Sequence, residues 1–199
     1  MKIILQEYQK TKIKKVINSL KALLFSTLFA LLIISCNKDD KLFSGNDQLP
    51  QETQTGANTV GCLVNGQVFL PHDQGLNYGI NCFYQFIDNE FYFNITCTDF
   101  RGTIPKGVTV QTRKINLQIN QIYILNKNII NNGDFDGCGG NYDIGSNNRF
   151  FTNTIKTGEL KITRLDLSNS IISGTFWFDA INSTGETVEV RQGRFDMNY

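Results

Sequence analysis

Five cysteines, one histidine and a scatter of 18 carboxylates are the side chains of this 199-residue sequence most able to do chemistry. Cys36 stands apart, because it ends an apolar run and is followed at once by Asn37, Lys38, Asp39 and Asp40. Cys62, Cys82, Cys97 and Cys138 form an even set, which in an oxidising compartment suggests disulfides with three possible full pairings. They contain no closely spaced ligand pair of the kind zinc takes. His72 follows Pro71, and the chain has no G-x-S-x-G turn to supply an activated serine, so it reads as a solvated loop histidine and not as part of a hydrolase triad. Asp134, Asp136 and Asp143 gather in GDFDGCGGNYD, which reads as a Gly-rich loop. Carboxylate and carbonyl oxygens suit calcium, but the spacing departs from the twelve-residue calcium loop, and turn chemistry alone accounts for Asp and Gly there. The sequence therefore assigns no catalytic residue, no metal ligand and no cofactor. One enzymatic route needs carboxylates only: glycosidic hydrolysis by two acids roughly 5 to 9.5 Å apart across a cleft. Asp99 with Asp136 or Glu159 is the pair to examine for it.

Aromatic side chains are the remaining candidates. In an all-strand domain most of Phe83, Tyr84, Tyr92, Phe176 and Phe178 belong in the core. Trp177 lies between Phe176 and Phe178, so if those two point inwards it points the other way. An exposed indole there would be a platform for a ligand.

Those residues need elements to position them, and composition restricts which. One ordinary domain plus extensions fits the length. Asn is frequent, Gly, Thr, Phe and Ile are common, and Pro occurs only at Pro50, Pro71 and Pro105, a mixture suited to strands and polar turns. With the six lysines and Glu7 of the first 35 residues set aside, 19 basic and 18 acidic residues become 13 and 17, a formal net charge of −4. The remaining Lys and Arg are scattered and form no basic stripe, which argues against a nucleic-acid partner.

Lys2, Lys10, Lys12, Lys14, Lys15 and Lys21 precede the apolar run ALLFSTLFALLII, residues 22 to 34. Charge followed by a short apolar stretch is the build of a secretory signal, and the run is too short to span a bilayer comfortably. Ile33, Ile34, Ser35 and Cys36 resemble a bacterial lipobox. The resemblance implies that residues 1–35 are a cleaved lipoprotein signal peptide, that cleavage falls between Ser35 and Cys36, and that the Cys36 thiol carries diacylglycerol, with a further acyl chain on the new amino terminus. Two or three acyl chains give stable anchoring where one gives only reversible binding. Lys38, Asp39 and Asp40 resemble the signal that sends Bacteroidota lipoproteins to the cell surface. That implies an outer-membrane lipoprotein facing outwards, with a periplasm-facing location as the alternative.

From Asn37 to Asn58 the chain is polar and almost without apolar pattern, so residues 36–58 read as the lipidated cysteine and a flexible tether, about 25 Å in root-mean-square span. Residues 59–199 read as a single all-β domain, an antiparallel sandwich or barrel. Asn65-Gly66 inside CLVNGQVF predicts a tight hairpin over 60 to 70. Asp88-Asn89 predicts a second turn, with Ile80, Cys82, Tyr84 and Phe86 on the same face as Phe91, Phe93, Ile95 and Cys97. In that register Cys82 lies opposite Ile95 and only diagonal to Cys97, at roughly 7 to 8 Å. A Cys82–Cys97 bridge, buried free thiols and longer-range pairs all stay open. Strands are expected at 107 to 113 and 115 to 125, the latter buried between layers at its apolar end. GELKITRLD, IISGTFWFDAI and ETVEVRQGRFDM form a meander. In its last strand Val188 and Val190 are even-numbered while Phe195 and Met197 are odd, so a bulge near Gln192 and Gly193 must shift the register.

LPQETQTGANTVGCLVNGQVF and IISGTFWFDAINSTGETVEVRQGRFD resemble an uncharacterised family of Bacteroidota lipoproteins, a domain of unknown function. The likeness lies at the two ends of the mature chain and carries over no catalytic residue. The function expected is that of a lipid-tethered, non-enzymatic surface module with a glycan, protein or envelope ligand. The alternatives are a surface glycan hydrolase and a purely structural envelope lipoprotein.

Overall fold

The computed structural model describes residues 48–129 and 136–199, and these fall within one compact unit, Gly45–Tyr199. Ser35, Cys36, Lys38, Asp39, Asp40 and Asp134 lie outside the described residues. Among those described there are eleven strands and no helix: β1 (Thr59–Val64), β2 (Gln67–Phe69), β3 (Ile80–Ile87), β4 (Glu90–Asp99), β5 (Lys106–Arg113), β6 (Ile122–Leu125), β7 (Gly137–Ile144), β8 (Asn148–Phe151), β9 (Gly158–Asp166), β10 (Ile171–Ile181) and β11 (Thr187–Asn198). Every ladder between them is antiparallel. The expected all-β antiparallel architecture is what the chain forms.

The strands make one open sheet that forks at β10. One edge of β10 pairs with β11 from Ile171 to Ile181. Its other edge pairs with β9 as far as Phe178, then with β8 at Ile181. One branch thus runs β10-β9-β6 and the other β10-β8-β7-β5-β4-β3. The second branch folds back over the rest and encloses the core, as rings from remote strands show. Phe93 of β4 meets Phe195 of β11 at 5.6 Å between centroids, Phe69 of β2 meets Tyr142 of β7 at 6.0 Å, and Tyr84 of β3 meets Tyr199 at 5.9 Å. Burying such aromatic and branched side chains stabilises the fold by about 1.5–3 kcal/mol each, relative to exposure.

Turn chemistry sets the registers. Asn65 and Gly66 take φ of 48° and 78°, and Val64 pairs with Gln67 across them. Asp88 and Asn89 take 50° and 66°, which pairs Ile87 with Glu90, Cys82 with Ile95 and Ile80 with Cys97. Both turns direct the first strand's alternating apolar set inwards, although Phe86 at the turn end of β3 lies beyond the core and is 59% exposed. The bulge also lies where the change of parity requires it. Gly193 pairs with Phe176 but Val190 with Phe178, so β11 spends one more residue than β10, and Gln192 takes a φ of 51°.

Residues 115 to 125 depart from expectation. Only Ile122–Leu125 form a strand; before them the chain turns through Lys114 and Asn120, both at positive φ. The strand β6 pairs with β9 alone, so it is an edge and not a layer between layers. Tyr123 and Leu125 are buried, while Ile122 and Ile124 are half exposed on the outer face. The tyrosine is held from this loop, since its hydroxyl accepts from the Gln118 N–H at 2.6 Å.

The stretch GCGGNYDI also proves different from a loop, because residues 137–144 are the strand β7, paired along its length with β5. Its glycines mark close approach: a Cβ on Gly140 would come within 2.8 Å of the Phe178 ring. Asp136 and Asp143 consequently stand at opposite ends of a strand, about 23 Å apart at the usual rise, too far to share a cation.

The polar segment before β1 is likewise not uniform. Thr53, Thr55, Gly56 and Ala57 all donate to Asp196 on β11, so the folded unit reaches back past residue 59.

Candidate functional site: the Trp177 groove

On the outer face of the β6-β9-β10-β11 branch, registers align side chains in rows. Ile122, Lys161, Thr175 and Arg194 follow one another across the four strands. One step along, Ile124, Glu159 and Trp177 form a second row. Alternation on β10 puts Phe176 and Phe178 in the core at 4% and 0% exposure and leaves Trp177 37% exposed, as expected of the odd ring in that trio.

Trp177 is fixed from both flanking strands. Its Nε1–H donates to Glu159 Oε2 at 3.3 Å. Opposite it on β11 the bulge turns two successive residues outwards, Arg191 and Gln192, and Arg191 lies 5.4 Å from the indole centroid. That guanidinium is itself anchored by Asp179 at 2.6 Å and the Phe178 carbonyl oxygen at 3.0 Å. A bulge re-aims a side chain in just this manner, and a cation over an indole face is attracted by the ring quadrupole.

A groove of about 360 Å³ opens beside the ring, lined among others by Ile122, Glu159, Lys161, Thr175 and Trp177 on its floor. Arg191 does not line the groove; its guanidinium lies over the indole ring. Glu52 forms a wall and pairs with Arg194 at 3.9 Å.

The segment that carries the wall is held chiefly by one carboxylate, with further bonds from Arg164 to the Gln54 carbonyl oxygen and from Asn198 to the Gly56 carbonyl oxygen. Ser173 and Asp196 continue the outer face of β10 and β11, paired with each other, and both are buried because the segment around Thr53–Ala57 lies over them. Asp196 accepts from the hydroxyls of Thr53 at 2.6 Å and Ser173 at 2.7 Å, and from the N–H groups of Thr55, Gly56 and Ala57 at 2.9, 2.8 and 3.2 Å. Burial alone would raise its pKa, but the donors from Thr53, Thr55, Ser173 and Gly56 together outweigh that and hold the carboxyl far below the ordinary carboxylate range.

The other sequence candidates go elsewhere. His72 belongs to the β2–β3 connection, where its Nδ1 lies 3.0 Å from the Leu70 carbonyl oxygen and 3.6 Å from Asp99 Oδ1. Its backbone bridges to Asp99, so it laces the loop to the end of β4. Hydrogen bonds from Arg101 hold the Asp99 carboxyl below its usual range. Asp99 and Asp136 cannot be a hydrolytic pair: Asp99 is opposite Lys106 and Asp136 adjoins Gly137, opposite Arg113, which puts the length of β5, about 24 Å, between them. Glu159 faces outwards from β9, whereas Asp99 shares the inward alternation of Cys97. Asp136 instead pairs with Lys114 at 3.0 Å, and Asp143 with Arg149 at 3.7 Å. Among the described residues no three His, Cys, Asp or Glu come together as a cation site.

Cys62, Cys82, Cys97 and Cys138 are free thiols. Burial pushes Cys62 and Cys82 up to about 12 and Cys138 to about 11, and raises Cys97 well above its ordinary value. Thiols so raised are poor nucleophiles at neutral pH. Sequence reasoning reached Trp177 and Glu159 but missed Lys161, Arg191, Arg194 and Glu52. The alternation of β9 could have flagged Lys161 beside Glu159; nothing local joins Glu52 to a strand more than a hundred residues away.

No curated protein and no solved structure matches the chain. Residues 104–197, from just before β5 almost to the end of β11 and including Glu159, Lys161, Trp177 and Arg191 but not the LPQETQTGANTVGCLVNGQVF stretch, match the model of a family described as a domain of unknown function, DUF6252.

Proposed function

We propose that this chain is a cell-envelope lipoprotein, anchored in the outer membrane through lipid on Cys36 and displayed at the cell surface, which acts as a non-enzymatic binding module with the Trp177 groove as its contact face. One observation carries the binding reading: a large aromatic side chain stands outwards from a sheet face, fixed by Glu159 and Arg191 and set beside a groove. An exposed aromatic that only fills space needs no such fixing. The anchoring reading rests on Ile33, Ile34, Ser35 and Cys36, and surface display on Lys38, Asp39 and Asp40. Leu49 and Pro50 already lie against Gly61 of β1, so the tether of this reading is shorter than residues 36–58.

The test has two arms. In cells, Cys36→Ala abolishes lipid labelling and membrane retention; a variant that stays membrane-bound refutes the anchor. External protease removes the domain from intact cells if it is displayed, and protection places it in the periplasm.

A second reading, a glycan hydrolase, is favoured by one observation: Glu52 and Glu159 line the same groove. Glu159 is engaged with Trp177 and Glu52 with Arg194, which suits positioning better than proton transfer. Release of reducing ends from a polysaccharide, lost in both Glu52→Gln and Glu159→Gln, would establish that reading.

A further inference from the structure

We propose that the Trp177 groove binds a neutral saccharide unit of a glycan chain, its C–H face stacked on the indole and its hydroxyls bonded to Glu159 and Lys161. The inference rests on the reading of this groove as the contact face and supplies the ligand's chemistry.

Four features select a sugar. The indole lines the groove and is held by Glu159 and Arg191; a flat, preorganised ring suits a flat face of C–H bonds at little entropic cost. The flanking groups are acceptors and donors in balance: Glu159 has a carboxylate oxygen free of the indole N–H, Lys161 has no carboxylate within ion-pair distance among the described residues, and Thr175 offers a hydroxyl. A ligand dense in hydroxyls can satisfy both kinds. Charge disfavours an anion, since Glu52 and Glu159 offset Arg194 and Lys161. Aliphatic lining is nearly confined to Ile122, too little for the side-chain pockets of an extended peptide. About 360 Å³ is at the small end of ligand sites, enough for a short stretch of a longer chain.

Asp196 is a positioning residue for this site. It fastens the segment that carries Glu52, so the wall of the groove depends on it.

Trp177 is the one tryptophan of the chain, so its emission reports this site alone. The full lipidated chain in detergent micelles is titrated with neutral hexasaccharides of glucose, mannose, xylose and N-acetylglucosamine, and with hexagalacturonate as the acidic counterpart. The expected result is a saturable emission change with at least one neutral probe and none with hexagalacturonate. By calorimetry, Trp177→Ala weakens that binding more than tenfold, and Glu159→Ala or Lys161→Ala severalfold, with unchanged thermal midpoints. Asp196→Asn weakens it severalfold, and a smaller response of emission to the probe separates that loss from simple destabilisation.

Silence from every neutral probe overturns the saccharide assignment, as does binding indifferent to Trp177→Ala. If the probes fail while a bound peptide or anion shifts the emission of the wild-type chain, the contact face stands and the saccharide falls. If nothing shifts it, both fall.

Discussion

Trp177 and Glu159 face each other across the β9–β10 ladder, and the indole N–H donates to the carboxylate at 3.3 Å. The pairing costs little to lose in stability because both groups meet solvent, but it decides which way the ring lies. Glu159→Gln keeps an oxygen acceptor and Glu159→Ala does not. The expected outcome is that Ala red-shifts the emission of the sole tryptophan and lowers its anisotropy, that Gln does neither, and that both change stability by less than about 1 kcal/mol. A ring equally restrained in the Ala variant would mean that Arg191 alone orients it.

Asp196 predicts an acid-sensitive clasp. Its folded pKa lies far below the unfolded value of about 4, so the stability it contributes is complete above that value and is lost as pH falls below it, towards the folded pKa. Asp196→Ala also leaves the buried Ser173 hydroxyl, and the half-buried Gly56 N–H, without their acceptor. The expected cost is about 2–4 kcal/mol at pH 7, measured by urea unfolding. The gap between wild type and variant narrows by pH 3; a gap independent of pH would show that packing, and not charge, holds the segment.

Much of this architecture was legible in the sequence where a local device determines it. Asn65-Gly66 and Asp88-Asn89 need positive φ at both positions and therefore set their hairpins. The change of parity between Val190 and Phe195 demands one extra residue, and the outward Trp177 follows from two inward phenylalanines. What stayed hidden depends on distant partners. The strand β7 looks like a loop because its glycines answer to Phe178 and to the chain at Lys127 and Ile129. INLQINQIYIL alternates like one strand, yet its first half gives up pairing to place the Leu117 N–H on the Tyr84 hydroxyl at 3.1 Å. The groove's wall was unreadable for the same reason, since Glu52 reaches Arg194 by way of a segment fastened to Asp196, Arg164 and Asn198.

The bulge on β11 supports a third prediction. Gly193 cannot accept a side chain, as a Cβ there would lie 2.4 Å from the Phe176 ring. Gly193→Ala is expected to destabilise by about 3 kcal/mol or more through overpacking. Gln192→Gly, which relieves a positive φ and alters no buried contact, is expected to change stability by no more than about 1 kcal/mol and to gain where backbone strain outweighs the added chain entropy. Deleting Gln192 removes the odd residue altogether, so either Arg191 leaves the indole or Phe195 and Met197 turn out of the core. The accompanying loss of cooperativity in thermal unfolding checks it.

The four cysteines of the folded unit give a prediction about redox state. At pH 8 a thiol raised to about 12 carries roughly a thousandth of the thiolate of a free cysteine. In the native chain Cys62, Cys82, Cys97 and Cys138 should therefore resist iodoacetamide for hours, while in denaturant without reductant all four should be alkylated, as peptide mapping can count. A deficit of two until reductant is added would reveal an oxidised pair. Register argues against that pair being Cys82 with Cys97. They sit opposite Ile95 and Ile80 respectively, a diagonal of roughly 7–8 Å between α-carbons, beyond the usual span of an unstrained bridge.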